Sequence, residues 1–328
     1  MTTLSRKHFL HCLALSALTL SATGAWAQSA WPDRPLKLVV PFAPGGATDV
    51  LGRLLATGLS EKLGQPVIVE NRPGAGTVVG ASMVAKAPPD GYTLMLGSNS
   101  TFTLNAAIRS NLPYDSLKSF VALGTVADMS LLLLANNDSG VRSVADLVQQ
   151  AKAKPEKFSY ASFGTGSSVH FGGEMLKSAA GIHMVHVPFN GSAPSLTALM
   201  GGQVQVSVDT VVASLPQIKA GKVRALATLS SHRLPSLPDV PTVAESGYPG
   251  FEAGSWFGLV APTGLPAPVA QKIERTLAEV LKPEAMRKRL VDLGLTPAYA
   301  DSAAMRARIE HELPAMRAVA ARADIRAD

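Results

Sequence analysis

Leu36-Lys37-Leu38-Val39-Val40-Pro41-Phe42-Ala43-Pro44-Gly45-Gly46-Ala47-Thr48-Asp49-Val50-Leu51 contains the plan of the fold in miniature. Residues 36–40 are a short apolar run, the mark of a buried strand. Residues 41–46 carry two prolines and two glycines and fit neither helix nor regular strand. Beyond them Val50, Leu51, Leu54, Leu55, Leu59 and Leu63 recur at helical spacing on one face. Thr48 or Asp49 can cap that helix, and Gly64 stands just past its end. The order strand, loop, helix then repeats. Residues 67–69 read as a strand, 71–76 as a loop, 77–86 as a helix and 93–96 as a strand. Such repetition implies a parallel sheet with right-handed crossovers.

The same plan returns further on. Two extended stretches are expected at 120–126 and 130–135, the first of them crossing between lobes. Ser143 caps a helix to about Lys154. Strands are expected at 158–161, 185–188 and 223–228, and helices at 169–180 and from 194 to Met200. Val204, Val206 and Val208 alternate with Gln203, Gln205, Ser207 and Asp209, a strand pattern. Residues 230–250 are rich in Pro, Ser and Gly and read as a long surface connection. Residues 255–261 read as extended and return the chain to the first lobe. The remainder reads as helical at 268–281, 283–293 and from 302 onward, with Pro314 breaking or kinking the last helix.

The first 27 residues read as an export signal. Arg6 and Lys7 precede an apolar run, which closes on Ala25-Trp26-Ala27, a small-x-small cleavage pattern. The run is too short to span a bilayer. The mature chain is expected to begin at Gln28 in the periplasm. Residues 5–10 also resemble a twin-arginine signal with Lys in the second position, so a Sec or Tat-like route stays open. Removing the signal takes away two basic and no acidic residues, leaving 28 Lys+Arg against 24 Asp+Glu, a net +4 in place of +6. No basic block with interleaved aromatics is seen, which argues against nucleic acid. The one cysteine, Cys12, falls inside the signal, so neither a disulfide nor a thiol is expected in the mature chain.

Four loops stand where ligands bind in parallel sheets, at strand carboxyl ends that feed helix starts. They are residues 42–49, 71–77, 164–168 and 190–194. Free N–H groups and the dipole at a helix start favour an anion. Serine and threonine hydroxyls add adjustable donors. Two loops come from each lobe, so a carboxylate held between lobes is the natural reading. No phosphate-loop lysine, Gly-x-Ser-x-Gly elbow or zinc spacing occurs. No catalytic residue, metal or cofactor is expected. His170 sits one turn into the helix after a candidate loop. Asp209 either ends a strand or faces the cleft. Trp256 is a core aromatic or a cleft wall.

Longer motifs then carry a resemblance. Residues 31–35 (Trp-Pro-Asp-Arg-Pro) and Val39-Val40-Pro41-Phe42-Ala43-Pro44-Gly45-Gly46-Ala47-Thr48-Asp49 open the series. Glu70-Asn71-Arg72-Pro73-Gly74-Ala75-Gly76, Pro89-Asp90-Gly91-Tyr92 and Val187-Pro188-Phe189-Asn190-Gly191-Ser192-Ala193-Pro194 follow. Gly201-Gly202-Gln203-Val204, Leu237-Pro238-Asp239-Val240-Pro241-Thr242 and Ser255-Trp256-Phe257-Gly258 complete it. Together they resemble the Bug, or TctC-like, family, periplasmic solute-binding receptors of tripartite tricarboxylate transporters. Three positions depart from its pattern: Phe189-Asn190 in place of Tyr-Lys, Thr77 in place of Gly, and Asn105-Ala106 in place of Asn-Pro.

The resemblance implies an α/β, two-lobed periplasmic binding protein of the Venus flytrap type II kind, each lobe a mainly parallel sheet flanked by helices. Lobe 1 is expected at 28–125 and 232–328 and lobe 2 at 126–231. It implies a small carboxylate ligand: a di- or tricarboxylate, an acidic amino acid or an aromatic acid. Backbone N–H groups, hydroxyls and waters would hold it. The residues implied are Phe42, Ala43, Gly45, Gly46, Thr48, Asp49, Ser98 and Ser100 in one lobe. In the other they are Gly164, Thr165, Ser167, Ser168, His170, Asn190, Gly191, Ser192 and Asp209. Integral-membrane permease subunits are the implied partners of a monomer. A sensing receptor and a secreted hydrolase are the alternatives.

Overall fold

The computed structural model describes residues 31–327, and the fold set out here is that of the unit from Arg34 onward. The expected signal at 1–27, Cys12 and the expected start at Gln28 lie outside the described residues.

Each opening strand leads to a helix as its sequence dictates. β1 (Leu36–Val40) leads to α1 (Ala47–Leu63), which ends on Gly64 in the left-handed region (φ 71°). The cap at its start is Gly46, not Thr48 or Asp49, and no side chain caps it. β2 (Val67–Asn71), α2 (Val78–Ala85) and β3 (Thr93–Ser98) follow. A wide turn at Ser100–Leu104 then runs into the short α3 (Asn105–Ile108).

β4 (Phe120–Asn136) is one strand of 17 residues where two stretches were expected. Register shifts at Ala122/Gly124 and Thr125/Ala127 bend it without ending it, the effect of bulges. α4 (Val144–Ala153) begins as expected, with Ser143 Oγ accepting from Asp146 N at 3.0 Å. Next come β5 (Ser159–Ser162), α5 (Ser168–Ala180), β6 (Val185–Pro188) and α6 (Ser192–Met200). After β7 (Val206–Thr210) comes α7 (Val211–Lys219), which the sequence reading passed over, and then β8 (Val223–Thr228).

β9 (Gly254–Pro262), α8 (Ala267–Leu281) and α9 (Glu284–Asp292) lead to β10 (Leu295–Ala300). That last strand lies where the reading was wholly helical. It pairs antiparallel with β4 through Leu295, Thr296, Pro297 and Ala300. α10 (Ser302–Arg322) runs through Pro314 without a break. Packing of Met305, Ile309 and Ala320 on the body of the protein offsets the lost backbone bond.

Two sheets share β4. In the first, β2, β1 and β3 are parallel, and β9 inserts antiparallel between β3 and the first part of β4. In the second, β6, β5 and β7 are parallel, and β7 and β8 pair antiparallel with residues 131–136 of β4. Each lobe is thus a parallel kernel closed by antiparallel strands and covered by helices. The first core gathers Val39, Met95, Phe102, Phe120, Trp256 and Met305. Trp256 stacks on Phe102 with centroids 5.6 Å apart, so it is a core aromatic. The second core gathers Leu132, Leu134, Ala161, Leu196, Leu199 and Val211.

Candidate functional site

β1, β5 and β7 point their carboxyl ends at one place. The chain leaves β1 through Phe42, Ala43 and Gly45 (φ 84°) and enters α1 at Gly46. The turn is tied from beneath. Asp49 is buried; its Oδ2 accepts from Gly45 N at 3.0 Å and from Arg53 Nε at 3.1 Å, and its Oδ1 accepts from Asn71 Nδ2 at 3.0 Å. Asn71 Nδ2 also donates to Phe42 O at 3.1 Å. Burial alone would raise the Asp49 pKa, but the hydrogen bonds from Arg53, Gly45 and Asn71 outweigh it and hold the carboxyl below its ordinary value. Asp49 therefore shapes the loop from behind instead of facing the cleft.

The facing loop is built the same way with neutral groups. Ser167 caps α5, accepting from His170 N at 3.3 Å and donating to Gly164 O at 2.7 Å. His170 Nδ1 accepts from Gly166 N at 3.3 Å. Burial, then the neighbouring charges of His186, Lys177 and Arg109, push the His170 pKa down to about 3, so the ring is neutral at pH 7. Ser168 N donates to Ser100 Oγ at 2.9 Å, a bond from one lobe to the other. A third loop brings Gly191 (φ 134°) so close that a Cβ there would stand 3.1 Å from Ala43 Cβ. Only glycine permits that approach. Its neighbour Ser192 donates to Asp209 Oδ1 at 2.6 Å.

Between these loops lies a cavity of about 20 Å³, room for roughly one water molecule. As it stands the cavity has no room for a ligand of several carbons. Seven of the residues named from sequence line it: Phe42, Ala43, Gly46, Thr48, Ser98, Ser168 and Ser192. Eight others brace those or close the lobes behind them: Gly45, Asp49, Ser100, Gly164, Thr165, Ser167, His170 and Gly191. Thr165 O accepts from Arg109 Nη2 at 3.4 Å, again across the lobes. Asp209 is fully buried one layer behind Ser192, and Asn190 is exposed and absent from the lining.

Six lining residues were not singled out from sequence, Ala47, Met129, Phe163, Thr210, Ser255 and Phe257, although Ala47 lies within the expected 42–49 loop. Ala47, Phe163 and Thr210 adjoin residues that were named. Met129, Ser255 and Phe257 come from the crossing strands β4 and β9, where only tertiary pairing shows their direction. No charged side chain lines the cavity among the described residues. Its polarity comes from six hydroxyls (Thr48, Ser98, Ser168, Ser192, Thr210 and Ser255) and from the free N–H groups that open α1. Phe42, Phe163, Phe257 and Met129 make the apolar remainder. The Ser98 Oγ is buried without a protein partner.

The Asp209 carboxyl accepts on Oδ1 from Ser192 Oγ, from Thr210 N at 2.6 Å and from Thr210 Oγ1 at 3.4 Å, while Oδ2 has no partner. Burial outweighs these bonds and pushes its pKa up to about 7.

A larger cavity of about 350 Å³ shares Met129, Ser168 and Ser255 with this one. Its charged groups are already engaged. Arg308 Nη1 reaches Asp128 at 2.8 Å, and Glu312 accepts from Trp256 Nε1 at 2.6 Å and Thr103 Oγ1 at 2.7 Å. The smaller cavity sits where strand ends and helix starts converge. Ser162 Oγ and His186 Nε2 lie 2.6 Å apart, but Ser162 also accepts from Gly164 N and neither lines the cavity. The pair supports the turn after β5.

Comparison with known proteins agrees with this architecture. The family model described as "Tripartite tricarboxylate transporter family receptor" (TctC) matches residues 51–323. BugT of Bordetella pertussis is 38% identical over 284 residues, covering 86% of this chain and 87% of that protein. Among solved structures, R. palustris Rpa4515 with adipate superposes with a TM-score of 0.87 at 36% identity, covering 90% of this chain and 99% of that one. MatC (Rpa3494) from Rhodopseudomonas palustris with bound malate gives 0.83 at 34% identity, covering 88% and 99%. From its sequence and its two-lobed fold alike, the chain belongs to the TctC family of tripartite tricarboxylate transporter receptors.

Proposed function

We propose that this protein captures a small carboxylate between its lobes in the periplasm and delivers it to the permease subunits of a tripartite tricarboxylate transporter. The observation that carries the reading is the cavity wall: hydroxyls from both lobes and the free N–H groups at the start of α1, with no charged side chain among the described residues. Such a wall holds an anion by many aligned dipoles instead of one counter-ion. The carboxylates bound to Rpa4515 and MatC support the same ligand class here. Phe42, Ala43, Gly46, Thr48, Ser98, Ser168 and Ser192 touch the ligand in this reading. Ala47, Thr210 and Ser255 join them.

Ligand that bonds to both lobes has its greatest affinity for the closed state and shifts the population toward it. Lobe 2 corresponds to the chain between the two crossings, near residue 130 on the way out and within 230–253 on the way back. The protein acts as a monomer whose closed face is the one the permease recognises. Thermal-shift screening of carboxylates, followed by calorimetry on the hits, tests the binding step, because a ligand raises stability by RT ln(1 + [L]/Kd). Stabilisation confined to carboxylates supports the reading; no response to any carboxylate overturns it. Substrate uptake by cells carrying the permease with and without this receptor tests delivery.

A further inference from the structure

Of the four loops singled out from sequence, residues 71–77 contribute nothing to the cavity lining. Three successive residues of that loop hold left-handed backbone: Ala75 (φ 46°), Gly76 (φ 63°) and Thr77 (φ 94°). Such a conformation is costly for a β-branched residue and persists only where surrounding contacts impose it. Thr77 is buried, and its Oγ1 accepts from Thr101 Oγ1 at 3.1 Å. Asn105, fully buried at the start of α3, donates from Nδ2 to Gly76 O at 2.6 Å and to Ser100 O at 2.8 Å. The backbone held in this way lies against the second lobe, so closely that a Cβ on Gly76 would overlap Thr165 O.

Arg109 completes the seam. Its side chain is half-buried. Nε donates to Asn105 Oδ1 at 3.0 Å within the first lobe, and Nη2 donates to Thr165 O at 3.4 Å across to the second. Both partners are neutral oxygens, and no carboxylate pairs with this guanidinium among the described residues. A planar guanidinium holds two such oxygens at once in a fixed geometry. Ser168, whose N donates to Ser100 Oγ, belongs to both places: it lines the cavity, whereas Gly76, Asn105, Arg109 and Thr165 do not. Residues 164–168 therefore meet the cavity at one end and this seam along the rest.

We propose that Arg109 is a positioning residue for ligand capture. With Asn105 and the 74–77 loop it forms a seat for residues 164–168 when the lobes meet, and so sets how long a bound carboxylate is held without touching it. This rests on the capture-and-closure reading above and deepens it. Bonds made only in the closed state oppose opening. Their loss falls on release and leaves the encounter of the ligand with the open cleft unchanged.

Calorimetry and stopped-flow kinetics on the full mature protein test this. The probes are malate, adipate and every other carboxylate that stabilises the wild type in the thermal screen. Arg109→Ala should speed release about threefold to tenfold, the range for a charge-assisted bond that is long at 3.4 Å. The association rate and the Tm of the free protein should stay nearly unchanged. Arg109→Lys should restore part of the difference, since an ammonium is a single point charge. Gly76→Ala, which wedges the seam from the first lobe, should speed release at least as much as Arg109→Ala. Unchanged release in Arg109→Ala overturns the inference and leaves carboxylate capture standing. So does an affinity loss carried by slower association, the mark of a cation that steers anions from a distance. A fall in Tm with release unchanged overturns it too, because the contact is then structural only. Should Gly76→Ala not fold, Arg109→Ala decides alone. A wild-type protein that binds none of these carboxylates overturns both readings together.

Discussion

On the first-lobe wall a buried carboxylate, Asp49, is tied to the guanidinium of Arg53, whose side chain is 58% exposed. On the second-lobe wall another buried carboxyl, Asp209, is tied only to Ser192 and Thr210 and is reached by no solvent. The first arrangement keeps its charge, because the partner remains hydrated and the donors are several. The second gives it up near neutrality, because neutral donors cannot offset full burial. The same residue type thus makes an ionic tie on one side and a neutral one on the other. The first wall is fixed across the working pH range, whereas the second changes protonation within it.

The largest expected effect is steric and falls on the second wall. Gly191→Val places a side chain against Ala43 and forces a backbone at φ 134° that only glycine adopts readily. Ligand affinity should fall on the order of a hundredfold or more in calorimetry, since closure itself is blocked. Gly45→Val is the control on the first wall. It is also left-handed (φ 84°) but meets nothing within 4 Å, so it should cost about 1–2 kcal/mol of strain and far less affinity. Equal losses from both would remove the distinction between the walls.

Next comes the ionic tie. Asp49→Ala deletes the bonds to Gly45, Arg53 and Asn71 together. Chemical denaturation should show a loss of about 2 kcal/mol, typical for hydrogen bonds to a charged group. Because the folded pKa is depressed, that contribution is present above the ordinary carboxylate range and is lost as pH falls below it. A loss that persists unchanged in acid would contradict the ionic account.

The neutral tie predicts pH slopes of opposite sign. Asp209 keeps its proton up to about pH 7 when folded but only to about 3.8 when unfolded, so it lowers stability as pH rises across that window. His170 stays neutral down to about pH 3 when folded, whereas the unfolded ring takes a proton below 6.5. It therefore lowers stability as pH falls. Between about pH 4 and 6.5 the two oppose each other, each by at most about 1.4 kcal/mol per pH unit. Asp209→Asn should leave Tm rising with pH, and His170→Gln should leave it falling. Matching slopes in both variants would refute the assignment.

The smallest effects separate lining from bracing. Ser98→Ala should weaken ligand binding about tenfold while leaving Tm nearly unchanged. Ser167→Ala removes a helix cap and should cost about 1 kcal/mol of stability instead. Reversed outcomes would exchange their roles.

Much of this was legible in the sequence, for reasons that particular residues make plain. Local signals held: the apolar run of β1, Ser143 as a cap, Gly64 as a helix end. What failed depended on distant partners. β10 includes Pro297 and little alternation, and it is a strand because β4 pairs with it about 170 residues away. β4 itself read as two pieces, parted at Ala127-Asp128-Met129, yet a bulge between Thr125 and Ala127 carries the strand onward. The site divided along the same line. Loops fed by β1, β5 and β6 announced themselves through Gly and Ser, whereas Met129, Ser255 and Phe257 look like ordinary strand residues until β4 and β9 are set side by side. Asp49 and Ser167 had the right chemistry for a ligand and spend it on the backbone. Spacing alone does not say which way a short polar side chain turns.

The position of β9 has a consequence for how the molecule is made. In the first sheet the order is β2, β1, β3, β9, β4, so the strand at its interior is supplied by residues 254–262, more than 150 positions after β3. During synthesis β3 and β4 exist for a long interval with facing edges open, each a template for an unwanted strand. A chain cut short before residue 254 keeps nearly every element of the second lobe yet leaves the first without its keystone. Such a truncation should give aggregates instead of a half-sized binding protein, since the first lobe's sheet acquires its central strand only after the strands on both sides of it.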